Sequence, residues 1–326
     1  MCEVSIIVPC YNVEPYLEMF IDSLTRQSFK DFEVLFVDDG STDGTRIILN
    51  EFKKKDKRVH LILQENQGAG VARNNGLLKA KGKYVCFFDP DDIVEFDLLE
   101  ESLKKLRDKK FDIYIYGIGY INNNGEVLPK RTTLQEKEEI LICDYDSLVK
   151  NFEKLFYETS MFSPCNKIYS RHFLLDNNLL FPNNRTGQDS LFNIEVIKKM
   201  PAICITHEIY YYYRFNRKGS AARKLDKQRI KDDLAICHSF IKMTNELDLA
   251  LSYQLNLNFQ KYYKLTKRIN QEKTNQNSLL LYLFSDQKLT QLFKLHKISD
   301  IYGKKNKLRF LYFLMSNYSL LRKGKL

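Results

Sequence analysis

Short apolar runs alternate with longer segments of helical spacing over the first 120 residues. The run Val4–Pro9 is rich in β-branched residues and predicts a buried strand, and Phe32–Val37 predicts a second one. Between them, Tyr16–Gln27 carries apolar residues at intervals of three and four, which indicates a helix with one apolar face. The same alternation predicts further strands at 59–64, 84–88 and 112–120, and further helices at 45–54, 68–79 and 98–105.

This order of elements predicts a mostly parallel sheet with helices on both faces, which is a Rossmann-like α/β fold. Polar clusters follow four of the predicted strands, beginning at Tyr11, Asp38, Asn66 and Asp89. Ligands of such sheets bind beyond the carboxyl ends of the strands. We therefore expect one binding site, assembled from four segments, at this edge of the sheet.

The pattern changes twice along the chain. Residues 121–224 are less regular, and from about residue 225 the helical spacing continues to the end. We expect 1–224 to form one α/β domain and 225–326 to form a basic helical region after it.

The net charge of +10 is concentrated near the C-terminus. Residues 225–326 hold 19 Lys and Arg against 8 Asp and Glu, so we expect no nucleic-acid partner for the α/β domain. The basic region contains an apolar stretch, Phe310–Met315. Three interpretations of this stretch stay open: contact with an anionic membrane surface, packing on the preceding helices, and a contact between two copies of the chain.

The cysteine pattern and the apolar runs indicate a cytoplasmic protein. Seven cysteines are scattered without a Cys-x-x-Cys pair, which argues against a zinc or redox site and fits a reducing compartment. No apolar run approaches the roughly 20 residues of a membrane-spanning helix. The first predicted strand begins so near residue 1 that we expect no secretion signal.

The densest acidic group is Asp89-Pro90-Asp91-Asp92, at the end of a predicted strand. Neighbouring carboxylates repel one another, and a hard divalent cation such as Mg²⁺ or Mn²⁺ relieves that repulsion. A solvated helix start would use the same residues, because Asp is a common N-cap. The residues alone leave both interpretations open.

Two more segments offer groups to a ligand. Asp38 and Asp39 end a strand where a carboxylate can bind a nucleobase or ribose, although an Asx turn that caps the next helix is the alternative. Gly68 and Gly70 let the backbone approach a ligand, and Arg73 can reach a phosphate. The spacing excludes a P-loop and disfavours a dinucleotide fingerprint.

Four motifs occur in an order and spacing typical of one family: VSIIVPCYN at 4–12, VDDGSTD at 37–43, N-x-G-x-x-x-A-R-N at 66–74 and FD-x-DD at 88–92. They resemble the family 2 glycosyltransferases of GT-A fold over about residues 1–120, and a weaker likeness continues to about 224. The resemblance implies a nucleotide-binding half at 1–120 and an acceptor-binding half at 121–224.

The resemblance also implies a role for each matched position. Asp89 and Asp91 resemble the Asp-x-Asp pair that holds Mn²⁺ or Mg²⁺ with the diphosphate of a nucleotide-sugar. Arg214 and Arg217 resemble basic residues that clamp that diphosphate. The full set that resembles contacts of the donor comprises Pro9, Tyr11, Glu14, Asp38, Asp39, Arg73, Asp89, Arg214 and Arg217.

Asp189 resembles the catalytic base of these enzymes. An inverting transfer needs one carboxylate to take the proton of the acceptor hydroxyl, although a helix N-cap explains Asp189 without any chemistry. The family motif reads Glu-Asp-x-x-Phe, whereas Gln188 precedes Asp189 here. Cys165 stands where the family often has Trp.

These features lead to one hypothesis and two alternatives. The hypothesis is a metal-dependent inverting glycosyltransferase that moves a hexose-type or N-acetylhexosamine-type sugar from a UDP-sugar to a lipid-linked or growing bacterial cell-surface glycan. That glycan would be of the capsule, exopolysaccharide, lipopolysaccharide or teichoic-acid type, with the basic tail at the inner face of the plasma membrane. The first alternative is a catalytically inactive nucleotide-sugar-binding subunit. The second, a nucleotidyltransferase, is weaker because Cys10-Tyr11-Asn12 stands where a phosphate loop would follow the first strand.

Overall fold

The structure is a computed structural model that describes residues 2–135, 137–215, 225–271 and 276–295, together with 307, 309, 310 and 313. The chain divides into two compact units. The first comprises 1–184 with 188–220, and the second comprises 185–187 with 221–326. The sequence pattern predicts the domain boundary at residue 224.

The first unit contains all the strands and seven helices of the described residues. The strands are β1 (Val4–Cys10), β2 (Phe32–Asp39), β3 (Val59–Gln64), β4 (Tyr84–Phe87), β5 (Ile93–Val94), β6 (Ile113–Ile121), β7 (Val127–Thr132), β8 (Ile140–Ile142), β9 (Lys167–Ser170) and β10 (Ile203–Arg214). The helices are α1 (Glu14–Thr25), α2 (Thr45–Lys55), α3 (Ala69–Lys79), α4 (Leu98–Lys109), α5 (Tyr145–Tyr157), α6 (Arg171–Asp176) and α7 (Gln188–Lys198).

Among the described residues, the strands form one sheet of order β3-β2-β1-β4-β9-β6-β10-β5, with β7 beside β6 and β8 beside β10. Strands β1 to β4 are parallel. Strand β9 runs antiparallel to both β4 and β6, so β6 and β10 again run in the direction of β4. The carboxyl ends of these six strands therefore lie at one edge. The predicted α/β sheet is confirmed, and the antiparallel β9 inside it is a feature that the apolar pattern does not predict.

Every residue of β1 and β2 is buried, because both faces of these central strands are covered. One face packs on α1 and α2, where Phe20, Phe36 and Phe52 meet edge to face with ring centres 6.0–6.3 Å apart. A second aromatic group joins Phe181 and Phe192, whose rings stack with centres 4.0 Å apart. Buried strands of this kind read as continuous apolar runs, which is why the sequence predicts them well.

The second unit has its own apolar core. Its helices are α8 (Lys227–Glu246), α9 (Leu251–Ile269), α10 (Gln276–Phe284) and α11 (Gln287–Leu295). Phe310 and Phe313 are buried in this core, with ring centres 5.0 and 5.6 Å from that of Phe259 in α9. For these two residues, packing on the preceding helices is the interpretation that the structure supports. The rest of 303–326 lies outside the described residues, apart from Lys307 and Arg309.

We searched the described helices for a membrane span, and none combines the length and the apolar character that crossing a bilayer requires.

We expect Phe313→Ala to lower the free energy of unfolding by about 3–5 kcal/mol, because a fully buried ring leaves a cavity when it is removed. Urea denaturation followed by circular dichroism measures this change. Leu281→Ala is the matched control, since Leu281 is 57% exposed in α10 and its loss should change stability by about 0.5 kcal/mol or less. Equal effects of the two substitutions would contradict the packing of Phe313 in the core of the second unit.

Candidate active site

The turns after β1 and β2 are tied together by side-chain hydrogen bonds. The Asn12 side chain accepts a hydrogen bond from the backbone N–H of Thr42 at 2.8 Å, and the Glu14 carboxylate accepts one from the N–H of Gly44 at 2.7 Å. A Cβ at Gly44 would lie only 2.6 Å from that carboxylate, so a larger residue there would displace the Glu14 side chain from this hydrogen bond. Tyr11, just before this contact, is 46% exposed at the carboxyl edge of the sheet.

Asp38 and Asp39 are buried, and both carboxylates organise turns. Asp38 accepts hydrogen bonds from the N–H of Ser41 at 2.9 Å and from Nε of Arg46 at 2.7 Å. Asp39 accepts hydrogen bonds from the backbone N–H groups of Gln67 and Gly68, each at 2.8 Å. Asp39, the last residue of β2, therefore fixes the glycine-containing turn that leads into α3.

Arg73, in α3, joins two carboxylates that are far apart in sequence. One terminal nitrogen donates to Asp89 Oδ1 at 2.8 Å, and the other donates to Asp189 Oδ1 at 2.6 Å. Arg73 is only 4% exposed, whereas its two partners are partly exposed. Burial disfavours the charged guanidinium, but the charges of Asp189 and Asp89 outweigh this and raise the pKa of Arg73.

The acidic segment after β4 presents its carboxylates at different depths. Asp89 is 29% exposed, while Asp92 is buried and accepts hydrogen bonds from the Tyr211 hydroxyl at 2.6 Å and the Arg214 N–H at 2.7 Å. Burial and the charges of Asp91 and Asp89 raise the pKa of Asp92 well above its usual range. The hydrogen bonds of the buried Asp92 thus fix the acidic segment to β10, while Asp89 and Asp91 are partly exposed.

Arg214, at the end of β10, holds this segment from the other side. Its Nε donates to the Asp91 carbonyl at 2.6 Å, and one terminal nitrogen donates to the carbonyls of Asn122 and Asn123, both at 2.8 Å. The other terminal nitrogen lies 3.3 Å from the sulfur of Met19. Arg214 is 2% exposed, so its guanidinium is satisfied by protein groups.

Cys165 lies beside Asp89, and Lys167 fixes the loop that carries Cys165. The Cys165 sulfur and carboxylate oxygens of Asp89 and Asp92 all lie within 4.8 Å of one another. Burial raises the pKa of the Cys165 thiol. The Lys167 ammonium is buried and donates to the carbonyls of Ser160 and Ser163 and to the Asn166 side chain, at 3.0, 2.5 and 2.8 Å. Lys167 therefore fixes the loop that carries Cys165.

Asp189, at the start of α7, has a partly exposed carboxylate that pairs with Arg73. Withdrawal from water raises the pKa of its carboxyl, the Arg73 charge opposes this rise, and the Asp89 charge adds to it, with a net increase. A carboxylate of raised pKa is a stronger base than an ordinary aspartate. Its neighbour Gln188 packs against Gly70, where an added Cβ would lie 3.3 Å from the Gln188 side chain.

The family model of glycosyl transferase family 2 matches residues 5–176, which carry β1 to β9 and the acidic segment. The chain belongs to glycosyl transferase family 2. The resemblance of the four motifs is thereby confirmed.

Relatives of this chain include bacterial glycosyltransferases that are longer than the matched region. Glycosyltransferase GlyA of Streptococcus pneumoniae is 34% identical over 227 residues, which is 68% of this chain and 32% of that protein. The poly(ribitol-phosphate) beta-N-acetylglucosaminyltransferase TarS of Staphylococcus aureus is 28% identical over 223 residues, 67% of this chain and 36% of TarS. The match thus spans about a third of the length of these two relatives.

A solved structure has the same fold as this chain. The crystal structure of S. aureus TarS 1–349 in complex with UDP-GlcNAc aligns with a TM-score of 0.70 at 21% identity, over 99% of this chain and 90% of that one. The expected GT-A fold is confirmed by this match.

The structure brings most of the predicted site residues to one edge of the sheet. Tyr11, Asp39 and Asp89 lie at the ends of neighbouring parallel strands, and Arg73 connects Asp89 with Asp189. Pro9 is buried within β1. Arg217 lies outside the described residues.

The contacts of Arg214 differ from those of a free diphosphate clamp, because its guanidinium is engaged by backbone carbonyls; the clamp stays a prediction. Sequence reasoning also missed three contributors to the site. Tyr211 orders Asp92, while Asn166 and Lys167 order the loop at Cys165. The Asn-Lys pair at 166–167 within an apolar segment was the available signal, since a lysine in such a place needs buried acceptors.

The residues at 89–91 fit a divalent cation of the Mg²⁺ or Mn²⁺ class. Asp89 and Asp91 are two partly exposed carboxylates two positions apart in the chain, Asp89 and Asp92 bring carboxylate oxygens within 4.8 Å of each other, and hard cations take oxygen ligands of this type. Both oxygens of Asp92 already accept hydrogen bonds, and a thiol is a poor ligand for a hard cation, so we assign neither Asp92 nor Cys165 as a ligand. Asp89 and Asp91 would hold the cation.

Lys167 predicts a pH dependence of stability. Burial lowers the pKa of Lys167 to about 7 from its ordinary value of 10.5, so between these values the unfolded chain binds the proton more tightly than the folded chain. The free energy of unfolding should therefore rise as pH increases from 7 to 9, with about 2 kcal/mol from this residue.

The test compares urea denaturation of the natural protein with that of Lys167→Met at pH 7 and 9. The variant should lack this rise, while Lys81→Met, at an exposed lysine, should keep it. Identical slopes in the natural protein and Lys167→Met would contradict the assignment.

Proposed function

We propose that the protein is a metal-dependent inverting glycosyltransferase that uses a nucleotide-sugar, most simply a UDP-sugar. The observation that carries this proposal is the contact of Arg73 with both Asp89 and Asp189. The buried Arg73 guanidinium thereby holds together the carboxylate that would bind the metal cation of the donor diphosphate, Asp89, and the carboxylate that would take the proton of the acceptor hydroxyl, Asp189. TarS 1–349 has been crystallised in complex with UDP-GlcNAc and also with UDP, which supports a uridine nucleotide for this chain.

The residues of the chain divide the reaction between them. Tyr11 offers an exposed ring beside the base, and Glu14, Asp38 and Asp39 hold the turns around the nucleotide. Pro9, buried within β1, stays a candidate neighbour of the base. Asp189 takes the proton from the acceptor hydroxyl as its oxygen attacks the anomeric carbon.

Asp89 and Asp91 would hold the cation, which when bound neutralises charge on the leaving diphosphate. Arg73 keeps Asp89 and Asp189 at a fixed separation. We keep Arg214 and Arg217 as candidate contacts of the diphosphate, with Arg214 also fixing the acidic segment.

We further propose that the acceptor is a lipid-linked or growing bacterial cell-surface glycan. TarS is named for transfer to poly(ribitol-phosphate), and a relative from Bacillus subtilis is named as a putative teichuronic acid biosynthesis glycosyltransferase, which supports this class. The protein would work in the cytoplasm, with the basic residues after 303 near the inner leaflet, where such acceptors are presented.

A catalytically inactive subunit that binds a nucleotide-sugar is the second candidate. Gln188 favours it, because it replaces the acid that precedes the catalytic aspartate in the family motif. Slow hydrolysis of a UDP-sugar in the presence of Mn²⁺ distinguishes the two candidates, since an inactive subunit shows none. A thermal-shift comparison of UDP-, GDP- and dTDP-sugars, with and without Mn²⁺, identifies the donor class, because a bound ligand raises the melting temperature.

We expect Asp91→Asn to reduce Mn²⁺-dependent release of UDP from a UDP-sugar at least about 100-fold, because the amide is a weaker cation ligand than the carboxylate. An assay of released UDP measures this loss. Glu51→Gln is the control: Glu51 is an exposed acid in α2, and its substitution should leave UDP release unchanged. Full activity of Asp91→Asn would remove the metal assignment.

Asp189→Asn should lower sugar transfer by about 10²–10⁴-fold, because the amide cannot accept the proton of the acceptor hydroxyl. Its dissociation constant for UDP with Mn²⁺ should stay within about threefold of the natural protein's, a difference of less than 1 kcal/mol. Incorporation of label from a UDP-sugar into membranes of the source organism measures transfer. The control is Glu195→Gln on the same helix, whose carboxylate pairs with Lys198. Normal transfer by Asp189→Asn would exclude it as the base.

A further inference from the structure

Three aromatic rings form a cluster at the carboxyl ends of β6 and β10, in which Tyr213 and Phe215 are exposed and Tyr120 is partly buried. Tyr120 packs edge to face against Tyr213 and Phe215, with ring centres 5.9 and 6.3 Å apart. Tyr213 and Phe215 are each 39% exposed. We call these three residues the ring cluster, and none of them has a role in the function proposed above.

The exposed rings are held in place by their neighbours. The Tyr120 hydroxyl forms a hydrogen bond of 3.1 Å with the Thr132 hydroxyl, and the Lys130 ammonium lies 4.1 and 4.4 Å from the ring centres of Tyr120 and Phe215. Rings fixed in advance lose little conformational entropy when a ligand covers them. Single exposed apolar side chains are common on proteins, but a packed group of rings that stays in water suggests a binding surface.

The ring cluster lies on the side of the sheet that carries the acidic segment. Side chains alternate along a strand, so Tyr213 points to the same face as Tyr211, whose hydroxyl binds Asp92. Burial, together with the charges of Asp92, Asp89 and Asp91, raises the pKa of Tyr213. The Tyr213 phenol is therefore close enough for an electrostatic interaction with the carboxylates of the candidate active site.

Arg214 connects the ring cluster rigidly to that site. It stands between Tyr213 and Phe215 in sequence, and it bonds both the Asp91 carbonyl and the turn at Asn122 and Asn123, which leads from β6 to β7. The strands that present the rings thus keep a fixed distance to the acidic segment.

The position of the rings favours the acceptor over the nucleotide. The proposed nucleotide contacts end β1 and β2, whereas the ring cluster ends β6 and β10, on the other side of β4 in the sheet order. A pyranose ring presents apolar C–H groups on one face and hydroxyls around its rim. Aromatic faces match the former, and the Lys130 ammonium can donate hydrogen bonds to the latter.

We propose that the ring cluster is an acceptor subsite, in which Tyr213 and Phe215 stack on a pyranose ring of the glycan and Lys130 contacts its hydroxyls. The identity of this sugar as the acceptor rests on the proposed function. The sugar-stacking surface itself does not.

Saturation-transfer difference NMR tests the subsite with the whole protein and methyl β-glycosides of glucose, galactose and N-acetylglucosamine. At least one glycoside should bind, whereas ribitol, a polyol without a ring, should bind at least about tenfold more weakly. Tyr213→Leu and Phe215→Leu should weaken glycoside binding about tenfold, because they keep apolar volume and lose the aromatic face. Tyr213→Phe should retain binding, and Tyr145→Ala is the control, because that ring is 43% exposed at the start of α5 outside the cluster.

Three results would overturn the subsite: no glycoside binds, ribitol binds as well as the glycosides, or the leucine variants bind like the natural protein while circular dichroism shows that they are folded. Hydrolysis of a UDP-sugar is measured on the natural protein in parallel. Ring-dependent glycoside binding without hydrolysis would reject the proposed function and keep a sugar site. Hydrolysis with glycoside binding that is absent or independent of the rings would keep the function and reject the subsite.

Discussion

A buried guanidinium shared by two carboxylates sets the geometry of this site. Arg73 is 16 residues from Asp89 and 116 residues from Asp189 along the chain, yet it bonds both. A charge removed from water is stable only beside its counter-charges, so the end of β4 and the start of α7 are held near α3. The site is therefore assembled by an electrostatic requirement that no single segment could meet by itself.

The direction of the strands supplies the remaining order. Six strands end at the same edge, and several polar residues there bind a neighbouring turn. Asn12 and Glu14 hold the turn after β2, Asp39 holds the turn after β3, and Arg214 holds the turn after β6. Several motif residues thus have a structural role that exists before any substrate binds, and such preorganisation lowers the entropy lost on binding.

The sequence predicts the buried parallel strands, the acidic segment and the family, because each rests on local patterns. It does not predict β9, a four-residue strand whose partners β4 and β6 are distant in sequence. The sequence also presents Arg214 only as a clamp of the diphosphate, since only the fold reveals the backbone carbonyls that surround its guanidinium. Likewise, the residues around Phe310 and Phe313 in the sequence do not distinguish rings that pack in the core from rings that contact a membrane. In each case the missing information is a non-local contact.

Strand β9 also constrains how the chain can be made. Its backbone fills the place between β4 and β6, so these two strands join one sheet only after about residue 170 has been synthesised, and β10 adds beside β6 after about residue 214. Until β9 is in place, β4 and β6 each lack a partner strand at one edge, and unpaired edges are prone to wrong pairing. Shielding of the nascent chain by ribosome-associated chaperones would matter most during that interval.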